Sequence, residues 1–367
     1  MDNSVEFNAN FLVCVRCSTF NHAPFIEDAM NGFCMQQTNF PFVCTIIDDA
    51  STDEEQKVIR NYLQEYFDLE DKSVVRNEET DDYIYYYARH KTNHCCYFAV
   101  YFLKYNHYSI KKPKAPYIKE WNLPINYIAI CEGDDYWIDP LKLQKQVGFM
   151  ELHPNCTMTC SRTKLFSENR QKYIGETFCY EIDRDVDIKD VIYRTGLFIS
   201  TPSIIFRSVL RNYYPEYCRK CAVGDYPLQI YAALQGKVRY FNESLAVYRT
   251  ENSQSWMGKQ DWLSVSDARL KVLQSEVNMM KGFANDYPQY RDLFENKIAE
   301  FINQGIPTWR SSRKDRKKYL DFFVSDMKNY SWRWKIDKMI RLTRIPRLRR
   351  YYERYILKDF NYHKISY

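Results

Sequence analysis

The chain has 367 residues, 45% of them hydrophobic and 27% charged, with 32 Tyr, 22 Phe and 7 Trp. So much aromatic surface excludes a disordered chain, and only 10 Gly and 13 Pro exclude a collagen-like or low-complexity one. The net charge of +5 is uneven: residues 310–367 carry 18 Lys/Arg against 6 Asp/Glu, a net +12 that leaves −7 on residues 1–309.

The most apolar run, residues 197–206, is about half as long as a bilayer crossing requires. The opening segment, Met1-Asp2-Asn3-Ser4-Val5-Glu6, has neither a basic nor an apolar stretch of the kind a secretion signal uses. The expectation is a cytoplasmic protein whose 12 Cys are reduced thiols, several of them serving as small core residues. The cysteine pattern gives no ligand set for a zinc site.

In chain order, residues 11–15 form a short apolar run that suits a buried strand and ends at Ser18-Thr19-Phe20-Asn21. Ile26, Ala29, Met30 and Phe33 follow at helical spacing, with Pro24 suited to the first turn. Residues 42–47 read as a second strand ending at Asp48-Asp49. Ser51-Thr52-Asp53 then offers an N-cap to a helix with Val58, Ile59, Tyr62, Leu63 and Tyr66 on its apolar face. A strand over 127–131 runs into Glu132-Gly133-Asp134-Asp135, and Leu143, Val147 and Met150 mark the helix after Asp139-Pro140. This β-α-β-α order predicts an α/β fold with a mostly parallel sheet and helices on both faces. Residues 81–126, Tyr-rich and then Pro- and Lys-rich, read as an insertion. Residues 198–206 read as a strand, 226–235 as a helix, 238–248 as extended, and the chain from 262 as helical. The division expected is 1–258 for the α/β domain and 259–367 for a helical basic region.

Acids follow two of the apolar strands, and ligands of open α/β sheets bind at strand carboxyl ends. Glu132-Gly133-Asp134-Asp135 is a set of adjacent carboxylates suited to Mg²⁺ or Mn²⁺ with phosphate oxygens, and equally to a solvated turn. Asp49 suits the hydroxyls of a ribose, while Ser51 and Asp53 suit helix capping. Gly224-Asp225 by itself reads as a turn before a helix starting at Pro227.

Together these segments resemble the family 2 glycosyltransferases, inverting nucleotide-sugar enzymes of the GT-A fold, over roughly residues 10–256. The stretch Glu132-Gly133-Asp134-Asp135-Tyr136-Trp137-Ile138-Asp139-Pro140 is similar to the acidic motif of a bacterial subgroup. The resemblance implies a nucleoside-diphosphate-sugar donor and a saccharide or lipid-linked acceptor, as in polysaccharide biosynthesis at the cell envelope. It implies that Ser18 and Phe20 line the nucleoside pocket and that Asp49 contacts base or ribose. Asp134 and Asp135 would hold ribose, diphosphate and a Mn²⁺ or Mg²⁺ ion, with Glu132 beginning the motif, and Asp225 would be the general base. Arg89 is the candidate basic contact to the nucleotide, and Trp256 belongs to the loop near the acceptor. A nucleotidyltransferase and a catalytically silent nucleotide-sugar-binding module are the rival readings. After Pro346, Leu348, Tyr351, Tyr352 and Tyr355 share a helical face flanked by Arg347, Arg349, Arg350 and Arg354, which suits an anionic membrane surface and equally a terminal helix docked on the body. No nucleic-acid-binding motif accompanies this charge.

Overall fold

The computed structural model describes residues 10–118, 121, 125–177, 180–194, 198–251 and 266–304, together with 314, 317–319 and 321. Trp256 and, those five positions apart, the basic segment 310–367 lie outside the described residues.

The chain runs β1 (Val13–Thr19), α1 (Ile26–Cys34), β2 (Phe42–Asp48), α2 (Glu55–Tyr66), β3 (Phe67–Asp68), β4 (Arg76–Glu79), β5 (Tyr83–His90) and β6 (Cys96–Leu103). It continues with β7 (Tyr127–Ile130), β8 (Tyr136–Trp137), α3 (Lys142–Leu152), β9 (Cys156–Ser167), β10 (Lys172–Thr177), β11 (Arg184–Asp185) and α4 (Ile188–Arg194). Then come β12 (Ile205–Arg207), α5 (Glu216–Arg219), α6 (Asp225–Gln235), β13 (Lys237–Thr250), α7 (Asp267–Asp286) and α8 (Arg291–Gln304).

The strands form one mixed sheet in the order β11-β13-β9-β12-β7-β1-β2-β6-β5-β3, with β10 added to β9, β4 to β5 and β8 to β13. Its centre, β7-β1-β2-β6, is parallel, as is the pair β9-β13, while β12 runs antiparallel between β7 and β9. Strands β2 and β6 are buried along their whole length, as central strands covered on both faces must be. Helix α1 turns Ile26, Ala29, Met30 and Phe33 onto the sheet, as their spacing predicts. Trp137 closes the core beside Phe33, their rings 5.0 Å apart.

Three expectations change. The segment taken as an insertion, 81–126, is sheet in its first half: β6 pairs in parallel with β2, and β5 extends that edge. The strand expected over 198–206 survives only as β12, because Pro202, which has no N–H, sits in a 3-10 turn at Thr201–Ser203. The cap expected from Ser51–Asp53 is partial: Glu54 occupies the N-cap position without a side-chain cap, and Asp53 Oδ1 accepts only the Glu55 N–H, at 3.3 Å. The cysteines also include two Cys-x-x-Cys spacings, Cys14/Cys17 and Cys218/Cys221. The first pair lies on β1, where positions three apart face opposite sides, and all four stand as free thiols.

Two compact units divide the chain: Met1–Pro215 with Asp225–Lys259, and Glu216–Gly224 with Gln260–Tyr367. The second therefore includes α5, which the sequence division puts in the first. Within it, Tyr217 packs edge-on against Phe283 and donates to Asp286 at 2.8 Å.

Two glycines report on this packing. A Cβ on Gly32 of α1 would stand 2.8 Å from the Trp137 backbone nitrogen, whereas one on Gly148 of α3 would meet nothing within 4 Å. Gly32→Ala is expected to cost about 1–3 kcal/mol by forcing α1 off β8. Gly148→Ala should gain about 0.5–1 kcal/mol from helix propensity. Denaturant unfolding of the two variants against the parent checks both signs.

Candidate active site

Three strand ends are tied together by the backbone. The carbonyl of Thr19 at the end of β1 accepts the Asp49 N–H at 3.0 Å, that of Ser18 accepts the Gly133 N–H at 3.2 Å, and that of Arg16 accepts the Cys131 N–H at 3.1 Å. The turns after β1 and β2 each hold a non-glycine residue in the left-handed region, Asn21 at φ 57° and Ala50 at φ 59°. Asn21 Oδ1 accepts the Thr52 N–H at 2.8 Å and the Asn21 N–H donates to Ser51 Oγ at 2.9 Å, so the two turns brace one another. Residue 133 must be glycine: a Cβ there would lie 2.2 Å from Thr19 Oγ1.

Glu55, the first residue of α2, is buried beneath this junction. It accepts from Thr19 Oγ1, from the His22 N–H at 2.9 Å and from Ser51 Oγ at 2.7 Å. His22 Nδ1 lies 3.2 Å from Thr19 Oγ1, and its Nε2 lies 3.8 Å from Asp134 Oδ2. The β1 turn thereby presents an imidazole to the acidic motif.

Asp134 and Asp135 are both buried. Asp135 Oδ1 accepts the Arg249 N–H from β13 at 2.9 Å, while its Oδ2 is buried without a hydrogen-bond partner. Burial, and then the charge of Asp134, raise the Asp135 carboxyl well above the usual carboxylate range. Glu132 is exposed as a residue, yet desolvation around its carboxyl, followed by the charges of Asp134 and Asp225, pushes it up to about 8 against a pull from Lys114. Asp225, at the start of α6, is itself raised by burial. Its Oδ1 accepts the Tyr226 N–H at 2.8 Å and its Oδ2 accepts from Thr201 Oγ1 at 3.2 Å. Tyr248 on β13 is raised first by burial and then by the charges of Asp135, Asp134, Glu132 and Asp225. Four carboxyls therefore act on one another in a single region.

The cation that braces this region is Arg249. Its side chain is 7% exposed and pairs with Glu168 at 2.7 Å and with Asp28, and it donates to the Asp134 carbonyl at 3.2 Å. Its guanidinium lies 4.5 Å from the centre of the Tyr136 ring.

The predicted residues fall into distinct positions. Ser18 is exposed and Phe20 half-buried at the end of β1. Asp49 is buried, and its carboxylate already carries three donors: the N–H of His107 at 2.7 Å, the N–H of Tyr108 at 3.1 Å and Lys114 Nζ at 2.8 Å. It anchors the segment after β6. Arg89 is a correction: β5 runs antiparallel to β6, so Arg89 lies across from Tyr97, near the start of β6, at the opposite end of the sheet, where it faces Asp71 at 3.8 Å. Besides Arg249, Lys114 brings a basic side chain to the acidic end, and its only sequence signal was its place in a Lys- and Pro-rich stretch. The sequence alone assigns no role to His22, Tyr248 or Thr201. Trp256 lies outside the described residues.

No protein-family model matches the chain. Proteins described as uncharacterized from Mycobacterium bovis and Mycobacterium tuberculosis are 29% identical over 269 residues, covering 72% of this chain and 67% of theirs. Among solved structures, residues 1–349 of TarS from S. aureus in complex with UDP align with a TM-score of 0.56 at 14% identity, covering 94% of this chain and 87% of that one. The same TarS segment in a second crystal structure gives a TM-score of 0.51 at 14% identity, covering 90% and 79%. The chain thus has the α/β, GT-A-like fold expected from its sequence. No helix among the described residues is long and apolar enough to cross a membrane.

The raised acids make a stability prediction. Glu132 holds its proton in the folded chain up to about 8 and loses it at its ordinary 4.5 when unfolded. Between those values the native state binds more protons, so stability falls as pH rises through the window. Glu132→Gln should flatten that fall, measured by thermal unfolding from pH 4.5 to 8.5 in chelator; an unchanged slope contradicts the crowding.

Proposed function

We propose that the chain is a family 2-type glycosyltransferase, moving a sugar from a nucleoside diphosphate to an acceptor hydroxyl by a single displacement with inversion. The observation that carries this reading is that Asp225, at the start of α6, lies near enough to the acidic turn after β7 for its charge and that of Asp134 to act on Glu132. The likeness in fold to a TarS segment that binds UDP supports a nucleoside diphosphate as the leaving group.

The nucleoside end rests by Ser18 and Phe20, with Asp49 acting through the segment it anchors. Lys114 on that segment reaches toward Glu132 and supplies positive charge on the diphosphate side. Among the described residues no group of three His, Cys, Asp or Glu side chains is arranged to hold a metal ion. Mg²⁺-type sites use one or two carboxylates with substrate phosphates, and the buried, unpartnered Oδ2 of Asp135 beside Asp134 fits such a site. Asp134 and Asp135 would hold a Mn²⁺ or Mg²⁺ ion, with Glu132 beside them. When bound, the ion stabilises the charge that develops on the departing diphosphate.

Asp225 takes the proton of the acceptor hydroxyl as that oxygen attacks the anomeric carbon from the face opposite the diphosphate. Its raised proton affinity suits a base more than an ordinary surface carboxylate would. Attack on one face and departure from the other invert the anomeric centre, and no enzyme nucleophile takes part. The acceptor is a saccharide or a lipid-linked saccharide, and Trp256, outside the described residues, is the residue that the family resemblance assigns to it.

The test is a nucleotide-sugar screen that measures released nucleoside diphosphate with and without Mn²⁺. With the donor that turns over, Asp225→Asn should slow transfer by roughly 10²–10⁴-fold while donor affinity by calorimetry stays nearly constant. Asp134→Ala should lose both turnover and Mn²⁺-dependent donor binding. Turnover of Asp225→Asn within a few-fold of the parent removes Asp225 as the base. Donor binding without transfer in the parent favours a binding module. Separately, the net +12 of residues 310–367 is proposed to attach the protein to anionic membrane surfaces. Sedimentation with anionic vesicles should weaken in high salt, and equal binding to neutral vesicles contradicts it.

A further inference from the structure

A buried turn joins the acidic motif to Asp225. Thr201–Ser203 form a 3-10 turn, closed by Ser203 Oγ and Ser203 N, which donate to the Ser200 carbonyl at 2.7 and 3.0 Å. Three side chains, one from the acidic motif and two from α3, grip its carbonyls. Trp137 Nε1 donates to the Pro202 carbonyl at 2.9 Å, and Gln146 Nε2 to the Ser203 carbonyl at 2.9 Å. Lys142 Nζ reaches the same Ser203 carbonyl at 3.4 Å.

Each of these donors is buried. Lys142 is a costly residue to place there, since a buried ammonium without a partner carboxylate loses its hydration. Its contacts are Gln146 Oε1 at 2.6 Å, the Ser203 carbonyl and the face of the Trp137 ring at 4.6 Å. All three are contacts within the network that holds the turn.

The turn delivers one group to the cleft. Thr201 Oγ1 donates to Asp225 Oδ2 at 3.2 Å, and the Tyr226 N–H holds Oδ1. A carboxylate pinned at both oxygens cannot swing about its side-chain bonds, and its remaining lone pairs keep one direction. We propose that Thr201 is a positioning residue that aims Asp225 at the acceptor hydroxyl, and that Trp137, Lys142 and Gln146 hold its turn. The base and the acidic motif are then set relative to each other by one buried hydrogen-bond network. This rests on the reading of Asp225 as the base.

The experiment is a mutant cycle on the full chain, with the transfer assay and donor calorimetry read together. Thr201→Val keeps the shape of the side chain and removes the donor. It should lower kcat by about 10–10²-fold, the scale of a misplaced catalytic group, with donor affinity nearly unchanged. Thr201→Ser should recover most of the rate. In an Asp225→Asn background, Thr201→Val should have little further effect, because residues that act as a unit are not additive. If Thr201→Val does not fold, Trp137→Phe removes one donor to the turn and should show the same split. Unchanged kcat in a folded Thr201→Val or Trp137→Phe variant overturns the proposal, as does an equal loss with and without Asp225. Those results leave the base assignment intact if Asp225→Asn is slow. A fast Asp225→Asn overturns both readings.

Discussion

Mutual repulsion among carboxyls at the carboxyl ends of β1, β2 and β7 is the constraint around which the first unit is arranged. Glu132, Asp134, Asp135 and Asp225 act on one another, and bringing them together costs free energy that the chain must offset elsewhere. Arg249 offsets part of it, giving its backbone N–H to Asp135 and its guanidinium to the Asp134 carbonyl, Asp28 and Glu168. Lys114, shared with Asp49, offsets another part. Burial first, and then the remaining repulsion, raise the proton affinity of Glu132 and Asp135, while Asp225 is raised by burial. A cation or the electropositive centre of a bound substrate would relieve the same repulsion, which is how an unfavourable feature of the fold becomes a binding site.

The scaffold that holds these acids is mostly backbone. Carbonyls of β1 receive the N–H groups that start the Asp49 and Gly133 turns, so the placing of the acids follows first from strand register. Close approach then restricts the residues: glycine at 133 against Thr19, and left-handed Asn21 and Ala50 in the neighbouring turns. Such local strain persists when the surroundings over-determine it, and it clusters where a site needs a fixed shape.

Much of this was legible in the sequence, because β1 and β2 are short apolar runs, α1 and α3 show helical spacing, and acids follow β2 and β7. Strands β5 and β6 were not. Tyr is both apolar and polar, and eight consecutive buried positions in β6 show no alternation to read. Strand β9 hid for another reason: Thr157 and Thr159 are buried there because their hydroxyls reach the carbonyls of Ala232 and Ile205, partners far along the chain. The choice of Arg89 failed on topology, since the antiparallel course of β5 carries it to the wrong end of the sheet. The acids were found by adjacency in sequence, whereas Thr201 and Tyr248 belong to the site only through folding.

The central claim is that the acidic turn and Asp225 form opposite walls of one nucleoside-diphosphate site. Anomalous diffraction at the manganese edge, from crystals grown with Mn²⁺ and a nucleoside diphosphate, tests it directly. The account predicts one strong peak in contact with Asp134 and a diphosphate oxygen, with the nucleoside toward Ser18 and Phe20 and Asp225 left free across the cleft. A peak away from the Glu132–Asp135 turn, or a diphosphate bound elsewhere on the chain, would contradict it.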